Sequence, residues 1–295
     1  MNIWIYATKP QTLAISLASV VVGTAMGISK GYFSLPVLLV SLLVMLFAHI
    51  AFNISIEYYG YKYHCGKRCI VSEHSNPDIG IISTTRIRRV IYALMAVVCL
   101  LGASLYIWGG WKVIVVGVIC LLGGYLYNGG PYPLARNGLG ELFVFLFFGF
   151  IPVTMIARLH GAPFCQDTLA TGFAIGLIET NWLIIHDCRD ILEDKLAGKR
   201  TLTVKLGKRH MAMLYLLNGM LAIAILYDYW LNTLMWHVTL FPPVTYLITH
   251  IMAWNRIALR NDEELVPVII QTTVNIVLFA GLFTILLLML TKQGL

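Results

Sequence analysis

Asp187-Cys188-Arg189-Asp190-Ile191-Leu192-Glu193-Asp194-Lys195, followed by Gly198-Lys199-Arg200-Thr201, is the stretch on which the reading of this chain turns. It holds four carboxylates in eight residues, in a chain that is only 12% charged. It also follows an apolar run, 169–186. A carboxylate costs roughly 3 kcal/mol or more at the centre of a bilayer, so a cluster at the end of a membrane helix marks a function. Asp190 and Asp194 are four residues apart, which predicts one helical face and carboxylates close enough to share a divalent cation. Lys199 and Arg200 come next. Carboxylates that hold Mg²⁺ beside bases that hold phosphate oxygens predict a diphosphate site rather than a solvated loop capped by charges.

Outward from this stretch the chain reads as membrane protein. It has 295 residues, 59% of them hydrophobic, and a mean hydropathy of +0.79. Apolar runs long enough to cross a bilayer are expected at 11–28, 35–57, 89–108, 112–127, 139–157, 169–186, 211–230, 235–254 and 266–291. That predicts an all-α polytopic protein of nine transmembrane helices. No long polar segment divides them, so residues 1–295 are expected to form a single domain. Lys9-Pro10 precedes the first run and no cleavage pattern follows, which argues against a secretory signal.

Lysine and arginine concentrate in two loops. One follows the second run (Lys62, Lys67, Arg68, Arg86, Arg88, Arg89). The other follows the sixth (Arg189, Lys195, Lys199, Arg200, Lys205, Lys208, Arg209). Opposite loops carry little beyond Lys30, Lys112, Arg158 and Lys292. The asymmetry predicts a cytoplasmic N-terminus, both basic loops on the cytoplasmic face, and the C-terminus outside. The net charge of +7 then suits anionic lipid headgroups and a phosphorylated substrate, and requires no nucleic-acid partner. His64, Cys65, Cys69 and His74 do not follow a standard zinc spacing, and a cytoplasmic loop keeps its thiols reduced.

Two further polar groups break the apolar pattern. Asn53 and Glu57 share a helical face at the end of the second run, among Tyr58, Tyr59, Tyr61 and Lys62. A polar side chain inside an apolar run marks either function or an interhelical hydrogen bond. Tyr127-Asn128-Gly129-Gly130-Pro131-Tyr132-Pro133-Leu134 breaks the helix, and Glu141 enters the next run. Irregular backbone at a membrane edge lines a cavity or forms a tight turn.

With these motifs assembled, the chain resembles the UbiA superfamily of intramembrane prenyltransferases, in particular its menaquinone branch. The resemblance is carried by Thr8-Lys9-Pro10-Gln11-Thr12-Leu13, by Gly129–Leu134 running on through Gly138-Leu139-Gly140-Glu141 to Phe145, and most specifically by Arg189-Asp190 through Asp194 with Gly198–Gly207. It implies nine helices around one lateral cavity open to lipid, in the inner (cytoplasmic) membrane of a bacterium. It also implies Mg²⁺-dependent transfer of a polyprenyl group from its diphosphate to an aromatic acceptor such as 1,4-dihydroxy-2-naphthoate, which loses its carboxylate.

Carried over onto this sequence, Asp190, Asp194 and Glu57 become the catalytic acids, and Asp187 and Asn53 join them as metal ligands. Lys62, Lys199 and Arg200 neutralise the remaining charge of the diphosphate, and Arg189 joins them in binding substrate. Tyr58, Tyr61, Tyr127 and Tyr132 face the allylic cation. Asn128 and Glu141 line the substrate site, and Lys9 and Arg136 are candidates for the acceptor carboxylate. The first acidic motif departs from the family pattern. Ile56 stands for an amide and Gly60 for a carboxylate. The departure leaves three outcomes open: a transferase with rearranged metal ligation, a cyclase acting without an acceptor, and a binding protein without turnover.

Overall fold

The computed structural model describes residues 3–64, 83–227, 229, 239–259 and 262–292. Among them every regular element is a helix. A short α1 (Ile3–Thr8) leads into α2 (Pro10–Ser29) and α3 (Leu35–His64). After these come α4 (Thr84–Ser104), the turn α5 (Tyr106–Gly109), α6 (Trp111–Asn128) and the short α7 (Leu134–Asn137). The next span has three parts: α8 (Gly140–Val144), a π-helical turn (Phe145–Phe150) and α9 (Ile151–His160). Then follow α10 (Gln166–Arg189), α11 (Ile191–Leu196), α12 (Leu202–Leu206) and α13 (Lys208–Ile225). The bundle ends with α14 (Phe241–Leu259) and, after a 3₁₀ turn, α15 (Val266–Lys292).

Local chemistry sets several boundaries. Pro10 opens α2, where a missing N–H costs nothing. The Ser83 and Thr201 side chains cap α4 and α12 by accepting from the Arg86 and Val204 N–H groups. In the fifth span Pro152 removes an intrahelical donor, and the π turn lies just before it.

The core gathers on α2, which packs against α15 and α9, and on α10, which packs against α13 and the π turn. Ile15, Val22, Met26, Val153, Ile175, Ile178, Phe279 and Phe283 are buried in one cluster there. At Gly149 the backbones nearly touch: an added Cβ would stand 2.2 Å from the Gly176 Cα. Small residues permit this approach, which is how helices associate in lipid.

The outer surface is apolar. Leu100, Ile107, Trp111 and Leu122 are more than half exposed, as suits a surface solvated by hydrocarbon. Among the described residues, seven helices are long and apolar enough to cross a membrane: Pro10–Ser29, Leu35–Gly60, Thr84–Gly109, Trp111–Asn128, Gly140–His160, Gln166–Arg189 and Val266–Thr291. The runs expected at 211–230 and 235–254 fall on α13 and α14 and are not among these seven. α13 opens on Lys208-Arg209-His210 and carries Asn218, and α14 carries His250, Asn255 and Arg256, so their polar residues dilute the apolar signal. Part of both runs, residues 228 and 230–238, lies outside the described residues, as does the loop with Cys65, Cys69 and His74.

Candidate functional site

The acidic stretch sits where α10 passes into α11. The sequence spacing predicts one continuous helical face, but the helix is interrupted. α10 ends at Arg189, and Asp190, at φ −93° and ψ 12°, joins it to α11. The hydrogen-bond ladder nevertheless runs across the joint. The Asp190 N–H donates to the His186 carbonyl at 3.1 Å, and the Asp194 N–H donates to the Asp190 carbonyl at 2.8 Å. Asp187, Asp190 and Asp194 therefore follow one another along one side of the turn.

Each has a basic neighbour. Arg189 grips Asp190 with two donors, Nε to Oδ1 at 2.5 Å and Nη2 to Oδ2 at 2.8 Å. The His186 Nδ1 lies 3.5 Å from both Asp187 Oδ1 and Asp190 Oδ2. The Lys199 ammonium donates to Asp194 Oδ1 at 2.5 Å, and the Asp194 side chain is only 6% exposed. Burial pushes the Asp190 carboxyl up, but the Arg189 hydrogen bond and the charges of His186, Arg189 and Lys199 outweigh it and hold the group below the usual carboxylate range.

The loop that carries Lys199 and Arg200 is tied to α7, just after the Gly-Pro turn and 61 to 68 residues earlier. The Arg200 N–H donates to the Arg136 carbonyl at 2.7 Å. The Arg136 Nη2 donates to the Ala197 carbonyl at 3.0 Å, and the Lys205 Nζ to the Asn137 carbonyl at 2.6 Å. Gly138, at φ 83°, makes the closure possible: a Cβ there would meet Lys205 Nζ at 2.9 Å and Arg200 O at 3.1 Å.

A second constellation forms at the corner between α1 and α2. Lys9 Nζ lies 2.9 Å from Glu57 Oε1, and both side chains are half-buried. The Asn53 Nδ2 donates to the Thr8 carbonyl at 2.8 Å and to Thr12 Oγ1 at 3.0 Å. Thr12 Oγ1 donates to the Lys9 carbonyl at 2.8 Å and contacts His49 Nε2 at 3.3 Å, while His49 Nδ1 lies 2.7 Å from Ser16 Oγ. Lys9 is the one non-glycine residue at positive φ among the described residues. Such a conformation costs about 1–3 kcal/mol and persists where its surroundings overdetermine it. Tyr61 and Lys62 lie on α3, but their side chains are outside the described residues.

The remaining candidates lie on α3, on α6, in the turn after it and on α8. Tyr127 is buried, with its ring 4.8 Å from Phe52 and 4.5 Å from Phe143. The Asn128 Nδ2 donates to Ser55 Oγ at 2.9 Å, tying α6 to α3. Tyr58 packs on the small cluster of Ala7, Ile54 and Ile87, and Tyr132 is exposed. Glu141 is 7% exposed, and its Oε1 has no hydrogen-bond partner.

Several contributors escape a reading by motif: His186 between two aspartates, the Thr12–His49–Ser16 relay, and Glu179, fully buried in α10 with Ser19 donating to it at 2.7 Å. The only sequence signal for Glu179 is a lone acid inside an apolar run. An apolar cleft of about 580 Å³, lined by Phe150, Phe164, Leu169, Phe173 and Ile225, lies toward the start of α10, away from the acids at its end.

Among the described residues no three His, Cys, Asp or Glu side chains stand together closely enough to form a metal group. The donor chemistry of Asp187, Asp190 and Asp194 is nonetheless all carboxylate oxygen, the set that suits Mg²⁺.

The model of the UbiA prenyltransferase family matches residues 16–268. The 1,4-dihydroxy-2-naphthoate octaprenyltransferase of Mycobacterium tuberculosis is 31% identical over 228 residues, 75% of each chain. The Escherichia coli protein of the same name is 26% identical over 211 residues, covering 70% of this chain and 68% of its own. A UbiA homologue from Archaeoglobus fulgidus, solved with DMAPP and Mg²⁺, superposes with a TM-score of 0.67 at 17% identity, over 95% of this chain and 98% of the other. With its bundle of apolar helices and its acidic joint after α10, this chain belongs to the UbiA prenyltransferase family.

Proposed function

We propose that this protein transfers a polyprenyl group from its diphosphate to an aromatic acceptor of the 1,4-dihydroxy-2-naphthoate class, with Mg²⁺ as cofactor, in menaquinone synthesis. The observation that carries the proposal is the run of Asp187, Asp190 and Asp194 along one side of the α10–α11 joint, interleaved with Arg189 and Lys199. Asp187, Asp190 and Asp194 would hold Mg²⁺, with Glu57 and Asn53 on α3 as the second set of candidates. The chemistry Mg²⁺ supplies when bound is charge neutralisation of the diphosphate leaving group.

Around it the chain binds and orients. Arg189 and Lys199 exchange carboxylate for phosphate oxygen as hydrogen-bond acceptors, with Arg200 and Lys62 beside them. Arg136 holds the loop that bears Lys199 and remains the candidate for the acceptor carboxylate. The rings of Tyr127, Phe52 and Phe143 offer π faces to an allylic cation and keep water from it. The C–O bond to the diphosphate breaks and the diphosphate leaves, the allylic carbon bonds to the ring carbon that bears the carboxylate, and the C–C bond to that carboxylate then breaks to release CO₂, its electron pair returning to the ring.

The same reading has α13 and α14 crossing the membrane, for nine helices in all around a lipid-open cavity, with the acid-bearing face cytoplasmic. The test is incubation of the purified protein with Mg²⁺, a long-chain prenyl diphosphate and dihydroxynaphthoate, followed by mass spectrometry. A prenylated naphthoquinol is the expected product. A hydrocarbon or terpene alcohol formed without acceptor would mean a cyclase, and diphosphate binding with no product would mean a carrier.

A further inference from the structure

The corner between α1 and α2 is organised around one lysine. Lys9 adopts φ 47° and ψ 63°, and its carbonyl accepts from both the Thr12 N–H and the Thr12 hydroxyl. Asn53 closes the corner from α3 through Thr8 and Thr12. The His49 ring, between Thr12 and Ser16, backs it from the same helix. A left-handed backbone clamped from three sides defines where its side chain can begin, and this side chain ends on Glu57, 2.9 Å away.

Among the described residues Glu57 has poor company for a metal ligand. Ile56 is apolar. Gly60, one turn on from Ile56, has no side chain, and a Cβ there would meet nothing within 4 Å. Asn53 directs its amide N–H groups away, to Thr8 and Thr12. Among the described residues no second and third carboxylate or imidazole join Glu57. One carboxylate already paired with an ammonium presents almost no net charge to attract a divalent ion. An ammonium, however, has three N–H donors, and Glu57 occupies one direction only.

We propose that Lys9 stands in for a second metal ion: Glu57 holds its ammonium where a divalent cation would otherwise sit, and the other N–H groups of Lys9 bind the diphosphate of the prenyl substrate. Metal binding is then confined to the side of Asp187, Asp190 and Asp194. Asn53 is a positioning residue, acting through the corner that aims Lys9. The inference rests on the prenyl-transfer reading and narrows it to one metal and one fixed lysine.

The experiment uses the full chain in detergent micelles, a non-hydrolysable prenyl diphosphate analogue, calorimetry, and Mn²⁺ as a spectroscopic stand-in for Mg²⁺. One Mn²⁺ per chain is expected with the analogue bound. Lys9→Met should weaken analogue binding by about tenfold or more at saturating metal, the scale of one charged hydrogen bond, and Lys9→Arg should keep most of it. The decisive variant is Lys9→Met with Glu57→Gln, which removes the ion pair without leaving a lone carboxylate. It should bind the analogue as weakly as Lys9→Met alone. Asn53→Ala should weaken binding in the natural chain but add nothing in the Lys9→Met background. Two Mn²⁺ per chain, or full affinity in the double variant, overturns the assignment and leaves prenyl transfer standing. A natural chain that binds no analogue at any metal concentration removes the transferase reading itself.

Discussion

At the Asp190 carboxylate, burial and the Arg189 grip oppose each other and the grip prevails, so the folded-state pKa lies below the ordinary value. A depressed carboxylate stabilises the fold above its unfolded pKa, about 3.9, and that stabilisation fades as pH falls through the lower folded value. Thermal melts from pH 6 to pH 3 should show this acid-side loss, and Asp190→Asn should flatten it. A variant with the same slope would assign the loss to other groups. Function should respond more sharply. Asp190→Ala or Asp194→Ala is expected to abolish Mg²⁺-dependent binding of a prenyl diphosphate analogue, because the anion would face the remaining carboxylates with one ligand fewer. Near-natural affinity in both variants, read by calorimetry, would make the cluster structural. These acids were legible because carboxylates are rare in this chain and stand in one short stretch. Their partners were less so. Lys199 is five residues from Asp194 and was named as a phosphate ligand, yet it closes on the carboxylate itself. Lys9 and Glu57 are 48 positions apart, with nothing in either segment to link them before α1, α2 and α3 are packed together.

At the scale of the element, helices were readable from apolar runs and their interruptions were not. The π turn at Phe145–Phe150 and the joint at Asp190 both lie inside stretches of unbroken helical character. The first lies where the Gly149 backbone approaches Gly176, just before Pro152, and the second where Asp190 leaves helical geometry while the hydrogen-bond ladder continues past it. Gly149→Ala tests the first. Its Cβ would stand 2.2 Å from Gly176 Cα, so backbone must move, and the variant should lose about 1–3 kcal/mol of stability, seen as a lower unfolding temperature in detergent. An unchanged melt would show that the crossing is looser than its geometry. The end of α3 makes the opposite case, since Gly60 has open space around it. Ile56→Asn with Gly60→Asp should therefore fold, and should lower the Mg²⁺ concentration for half-maximal analogue binding by adding oxygen ligands beside Glu57. An unchanged or higher midpoint would mean that the two added ligands do not displace the Lys9 ammonium from Glu57.

For the whole molecule, the uneven distribution of lysine and arginine predicts that both basic loops share the cytoplasmic face. Cysteines introduced near residues 75 and 200 should be labelled from the cytoplasmic side in vesicles of known orientation, and labelling of both from the periplasmic side alone would reverse the topology. α13 and α14 are legible as apolar runs although their polar residues make them less apolar than the seven helices named above. Those polar groups meet one another within the bundle, as where the Tyr215 ring stacks on His250 at 4.3 Å. The tie between the Arg136 turn and the Ala197–Lys205 loop has a consequence in time as well as in space. Its donors and acceptors come from segments 61 to 68 residues apart in sequence, with α8, α9 and α10 between them. No such bond can form until those helices have crossed the bilayer and come together, since a loop that long must first be closed at an entropic cost. The tie is thus a latch that engages late in assembly. A nascent chain stopped before Lys205 would lack one of the three bonds, that from Lys205 to the Asn137 carbonyl, and protease should cut its segment from Ala197 to Thr201 faster than the same segment of the complete chain.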